Sequence, residues 1–195
     1  MEAKTYGFAS VCVNPCHVAF CKSLLGDEIP VCTVVGFPLG QNITEVKIIE
    51  TQAALQDGAK EIDYVVNISD VKAGAWDAVE KEMKKITAIC HADGAICKVI
   101  FENCYLTDEE KTKLCQIAHR ADIDFIKTST GFGTGGATPL DVALMVKEAG
   151  EGIRVKAAGG IRTISDALSY IELGASRIGA SASVEILESY KNSLA

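Results

Sequence analysis

Seven short apolar runs, separated by stretches of helical period, constrain this chain more than any other feature. They occupy 8–14, 31–37, 61–67, 96–102, 125–130, 154–158 and 177–181, with starts about 22 to 35 residues apart, the spacing of a β-strand followed by a crossover helix. Each run is nearly continuous in apolar residues rather than alternating, as a parallel sheet covered on both faces requires. The intervening segments carry helix signals. Segment 44–56 has Val46, Ile49, Ala53 and Leu55 at helical spacing and stops at Gly58. Thr107 with Glu110 makes a capping box ahead of Leu114 and Ile117. Thr138-Pro139 supplies an N-cap and a proline at the first helical position. Thr163 caps 164–173, which Gly174 closes.

Repeated βα units predict an α/β fold. A barrel and an open doubly wound sheet both satisfy the pattern, but no GxGxxG follows the first run, which counts against a dinucleotide-binding sheet. Polar and glycine residues cluster after the runs, at Asn14-Pro15, Gly36-Phe37-Pro38, Glu102-Asn103, 131–136 and Gly159-Gly160. A TIM (β/α)8-type barrel keeps its site at that end of its strands. The count is seven rather than eight, and the first run begins only about seven residues into the chain. Either the sheet closes unusually or a first βα unit is absent from this polypeptide. At 195 residues, one domain spanning 1–195 is expected, with length enough for a sizeable core.

The formal charge of −7 argues against non-specific nucleic-acid binding, so an anionic small substrate needs a local positive site. No apolar run reaches the length of a transmembrane helix, and the first residues lack the pattern of a signal peptide. A cytoplasmic protein with no membrane or nucleic-acid partner is expected. None of the 8 cysteines forms a C-x-x-C pair, so zinc is not signalled. They read as reduced, mostly buried thiols. Cys12 is the exception, near the end of a strand that lines a pocket.

Two lysines stand where an ammonium is costly. Lys127 lies in Asp124-Phe125-Ile126-Lys127-Thr128-Ser129 and Lys156 in Ile153-Arg154-Val155-Lys156-Ala157-Ala158, one βα repeat apart. If both point inward from neighbouring strands they share one mouth. Burial and a like charge then disfavour double protonation and free an amine that can attack a carbonyl. The competing readings are a solvated strand end or a buried ion-pair partner. Asp63, in another apolar run, can hold a lysine or relay protons through water, or serve only as a structural ion pair. Glu102 is a weaker candidate, because strand-end carboxylates often face solvent. The three histidines fall in helical or connecting segments, with surface roles expected.

The last two runs suggest a phosphate. Gly159-Gly160-Ile161-Arg162 follows one, and Gly179-Ala180-Ser181-Ala182-Ser183 follows the other and opens a helix. Barrels bind phosphate with such loops, using backbone N–H groups, with Arg162 and Ser181 as added donors. Ordinary tight-turn glycines are the competing reading. The glycine-rich 131–136 segment suits a loop over the site.

These residues closely resemble the deoxyribose-phosphate aldolase family, class I aldolases on a TIM barrel. The match covers essentially the whole chain, through 11–15, 36–40, 61–63, 127–132 and 155–162. The resemblance implies reversible cleavage of 2-deoxy-D-ribose 5-phosphate to glyceraldehyde 3-phosphate and acetaldehyde, without cofactor or metal. By resemblance, Lys127 is the Schiff-base lysine, Lys156 the second lysine that tunes it, and Asp63 the proton donor and acceptor. Gly159, Gly160, Arg162, Gly179 and Ser181 match the phosphate region, Cys12 lines the pocket, and a homodimer is a candidate assembly. Two departures stand out. The family's opening strand with an Asp-His-Thr-type motif is not seen, as for an N-terminally truncated barrel. Ala182 and Ser183 replace the usual Ser or Ala followed by Gly. The rival readings are a phosphate-binding barrel isomerase in which Lys156 only pairs with an anion, and a truncated, weakly active or inactive phosphate-binding barrel.

Overall fold

The computed structural model describes residues 2–193. All seven apolar runs form strands, six of them shorter than the run and the sixth matching it: β1 (Val11–Val13), β2 (Val31–Val35), β3 (Glu61–Val65), β4 (Ile96–Ile100), β5 (Phe125–Lys127), β6 (Arg154–Ala158) and β7 (Arg177–Gly179). The run ends become the mouth loops. Helices alternate with the strands: α1 (Glu2–Tyr6), α2 (Val18–Leu25), α3 (Thr44–Gln56), α4 (Ile68–Lys72), α5 (Trp76–Ala92), α6 (Asp108–Arg120), α7 (Pro139–Glu148), α8 (Ile164–Glu172) and α9 (Ser183–Ser193).

The sheet is wholly parallel, in sequence order from β1 to β7. Every residue of β2 and β3 is buried, which explains why those runs do not alternate. The sheet curls into a TIM-like wall. Arg177, at the start of β7, reaches back to Ser10 Oγ and Glu61 Oε2, each at 3.2 Å. The terminal helices also meet, with Lys191 Nζ 4.6 Å from the centre of the Tyr6 ring. Among the described residues, β1 and β7 do not pair with each other, so the barrel stays open along that line, in keeping with the count of seven.

The capping expectations hold. Thr107 and Glu110 form a reciprocal box, Thr138 accepts from the Asp141 N–H, and Thr163 forms a box with Asp166. The face expected for α3 is wrong. Val46 and Ile49 are exposed, and so is Ala53, whereas Lys47, Thr51, Ala54 and Leu55 are buried. The Lys47 ammonium turns the helix inward: it donates to Val65 O at 2.9 Å and to Glu82 Oε1 at 2.7 Å. A buried lysine paired with a carboxylate and a carbonyl outweighs the two β-branched side chains left in water.

Candidate active site

Register builds the centre of the site. Lys127 on β5 stands opposite Lys156 on β6, and Asp63 on β3 stands opposite Lys98 on β4. In-register side chains on neighbouring strands share a face, so the two pairs meet inside the curl. Asp63 Oδ2 accepts from Lys127 Nζ at 2.9 Å and from Lys156 Nζ at 2.7 Å. Asp63 Oδ1 accepts from Lys98 Nζ at 2.7 Å and from Cys32 Sγ at 3.2 Å. Lys98 also donates to Glu61 Oε2 at 2.7 Å, and Glu61 in turn holds Arg177. Asp63 and Lys98 are fully buried, and Lys127 and Lys156 are each 5% exposed.

The electrostatics follow from that packing. Burial acts to raise Asp63, but the ammoniums of Lys127, Lys98 and Lys156 outweigh it and hold the carboxyl well below the usual carboxylate range. For Lys156, burial acts downward, and Asp63 followed by Cys32 carries it the other way, so the group is raised. For Lys156, that corrects the expectation that burial and a like charge would dominate: the Asp63 carboxylate lies against it. Lys98 is likewise raised, burial opposing it and Asp63 chiefly supporting it.

A cavity of about 820 Å³ runs along the open line between β1 and β7, from Phe8, Ser10 and Arg177 at their starts to the C-terminal ends of the strands. Of the buried lysines, Lys127 and Lys156 line it, while Lys47, Lys98 and Lys111 do not. Two ammoniums therefore face any ligand, with Asp63 directly behind them. Gly159, Gly160, Arg162, Gly179 and Ser181 line the same cavity, as does Cys12. Gly159 and Gly160 have φ of 89° and 76°, a left-handed turn that places successive peptide units around a concave spot. The 131–136 segment edges the mouth, where the Phe132 ring meets Phe37 edge-on at 5.4 Å.

Several residues were missed or misplaced. Lys98 carries the same signal as the other two, a lysine inside an apolar run (Ile96-Cys97-Lys98-Val99-Ile100), and Glu61 and Cys32 complete its surroundings. Glu102 does not face solvent: it is buried at a φ of 57° and accepts from the N–H and hydroxyl of Thr130, tying the ends of β4 and β5. The thiols are less uniformly buried than expected, because Cys16 and Cys104 sit on the short 3₁₀ turns after β1 and β4 and are exposed, as is Cys12. His17 is exposed but lines the cavity. Among the described residues, one set of donors is close enough to hold an ion: Cys12, Cys32 and Asp63, within 4.8 Å of one another. Three ammoniums already occupy the Asp63 oxygens and oppose a cation there.

Residues 1–188 match the DeoC/LacD family aldolase model. The chain is 55% identical over 192 residues to the deoxyribose-phosphate aldolase of Caldanaerobacter subterraneus subsp. tengcongensis, covering 97% of this chain and 83% of that protein. It is 52% identical over 194 residues to that of Thermococcus gammatolerans, covering 98% and 86%. Among solved structures it resembles the aldolase QR15, with a TM-score of 0.92, 43% identity and coverage of 98% and 85%. It also resembles the tetrameric deoxyribose phosphate aldolase of Aeropyrum pernix, with a TM-score of 0.90, 38% identity and coverage of 97% and 80%.

Proposed function

We propose that this chain, which belongs to the DeoC/LacD family of aldolases, is a class I aldolase that reversibly cleaves 2-deoxy-D-ribose 5-phosphate to D-glyceraldehyde 3-phosphate and acetaldehyde. The observation that carries the reading is one carboxylate oxygen, Asp63 Oδ2, shared by two cavity-lining lysines. Lys127 is the nucleophile. It gives up a proton and adds to the C1 carbonyl, and loss of water leaves an iminium. A base takes the proton of the C3 hydroxyl and the C2–C3 bond breaks. Its electron pair moves into the iminium to give an enamine, and glyceraldehyde 3-phosphate departs. Protonation at C2 and hydrolysis then release acetaldehyde and restore the amine.

Asp63 and Lys156 carry those protons. The 2.9 and 2.7 Å contacts on a single oxygen join the two amines by one proton-sharing atom. Lys98, bound to the other oxygen and away from the cavity, keeps Asp63 anionic and fixed. The glycine turn at 159–160, with Arg162, Gly179 and Ser181, is the seat for the phosphate, and the surrounding backbone supplies donors there. A completed lysine–aspartate cluster favours catalysis over a binding-only barrel, and over an isomerase in which Lys156 merely pairs with an anion.

The test is reductive trapping. Acetaldehyde with borohydride should fix an ethyl group on Lys127, located by peptide mass mapping, and Lys127→Met should abolish both the adduct and cleavage of 2-deoxyribose 5-phosphate. An adduct confined to other lysines would overturn the assignment.

A further inference from the structure

Cys12 on β1 and Cys32 on β2 are in-register partners on adjacent parallel strands. Such strands run about 4.8 Å apart, inside the Cα separation of about 4.4–6.8 Å that a disulfide spans. Their Sγ atoms already lie within 4.8 Å of each other. The two thiols differ in access. Cys12 is exposed to the cavity, whereas Cys32 is fully buried, 3.2 Å from Asp63 Oδ1 and 3.6 Å from Lys98 Nζ. We propose that Cys12 and Cys32 form a two-electron redox pair on the cavity wall, in which a hydroperoxide oxidises Cys12 and Cys32 resolves the product to a reversible disulfide.

The steps balance. The Cys12 thiolate attacks one oxygen of the peroxide, the O–O bond breaks, and hydroxide leaves, taking up the thiol proton as water. Cys12 is then a sulfenic acid. The Cys32 sulfur attacks the Cys12 sulfur, the S–S bond forms, the S–O bond breaks, and the Cys32 proton leaves with the hydroxide as a second water. Cys12, burial and Asp63 hold the Cys32 thiol well above its ordinary value, and Lys98, 3.6 Å away, works against them as that proton departs. The environment of Cys12 favours the first step. The S–H of Cys32 lowers its thiol most, burial and Asp63 oppose, and Lys127 and Lys156 add to the lowering, bringing it to about 7. The Cys32 thiol donates to Asp63 Oδ1 at 3.2 Å and reaches Thr33 O at 3.9 Å, so the disulfide also removes a hydrogen bond from the carboxylate that serves both lysines. The effect on turnover rests on the aldolase reading; the bond itself does not.

The full chain is incubated with a few equivalents of hydrogen peroxide near neutral pH, alkylated, digested without reduction and mapped by mass with fragmentation. The expected product links Cys12 to Cys32 and disappears with dithiothreitol. In Cys32→Ala, Cys12 should stop at a sulfenic acid captured by dimedone. Turnover of 2-deoxyribose 5-phosphate should fall as the bond forms and return on reduction. Over-oxidation of Cys12 without a link, or a first bond through Cys16 or Cys104, would overturn the pair. A Cys12–Cys32 bond that leaves the turnover of an active protein unchanged would overturn its control of the site.

Discussion

Asp63 binds three ammonium groups on two oxygens, and the position of each decides what it does. Lys127 and Lys156 meet the cavity, while Lys98 is sealed between Asp63 and Glu61. Removing one member of a buried ion cluster leaves its partners uncompensated, typically at about 3–5 kcal/mol. Lys98→Met should cost about 3 kcal/mol, because Asp63 keeps two lysines and Glu61 keeps Arg177. Urea denaturation measures this loss, and a change under about 1 kcal/mol would show that the pair contributes little. Lys127, Lys156 and Asp63 were all legible in the sequence, since charge inside an apolar run is costly and so informative. Lys98 carries the same signal, in Ile96-Cys97-Lys98-Val99-Ile100. What separates it from Lys127, access to the cavity, depends on where along a curved sheet each strand ends.

At the scale of elements, the turn after β6 and the segment leading into α7 are fitted to each other. A Cβ on Gly136 would lie 2.2 Å from Gly159 O and 2.5 Å from Gly159 C, and those backbone atoms yield only if the turn moves. The Ala137 N–H donates to the same carbonyl at 3.0 Å. Gly136→Ala should therefore destabilise by about 1–3 kcal/mol, and should raise KM for the phosphorylated substrate more than it lowers kcat, as steady-state kinetics beside a thermal melt would show. An unchanged KM would place the phosphate elsewhere. Helix caps were legible because they depend on a few neighbouring residues, as Thr107 with Glu110 shows. The buried face of α3 was not, because Lys47 finds its partners on β3 and α5, remote in sequence.

Across the whole molecule, polar and charged residues form a continuous path from half-buried Ser10 and Arg177 through buried Glu61, Lys98 and Asp63 to the two cavity lysines. This path links β7 to β3 across the interior and gives stability a definite pH dependence. Asp63 is held low in the fold, so on acidification the unfolded chain takes up its proton first, and the contribution present above the ordinary carboxylate pKa is lost as pH falls toward the folded value. Lys98 and Lys156 are raised, so their contribution is intact below the ordinary lysine pKa and is lost only above it. The urea midpoint should stay level from about pH 5 to about pH 7 and fall below about pH 4, while the lowered Cys12 thiol adds a separate rise between about pH 7 and pH 9. A midpoint that held level as pH fell below about 4 would contradict the charged cluster. The sequence by itself determined the seven βα units, their parallel order and the caps, and it singled out Lys127, Lys156 and Asp63, because periodicity, capping and the cost of burying charge act within a run or between successive runs. Only the tertiary structure decided that Asp63 stands between the lysines, that Lys98 lies behind it, that Glu102 turns inward and that Cys12 faces Cys32. Those pairings follow from register and curvature, which bring Asp63 and Lys156, 93 positions apart, within a hydrogen bond.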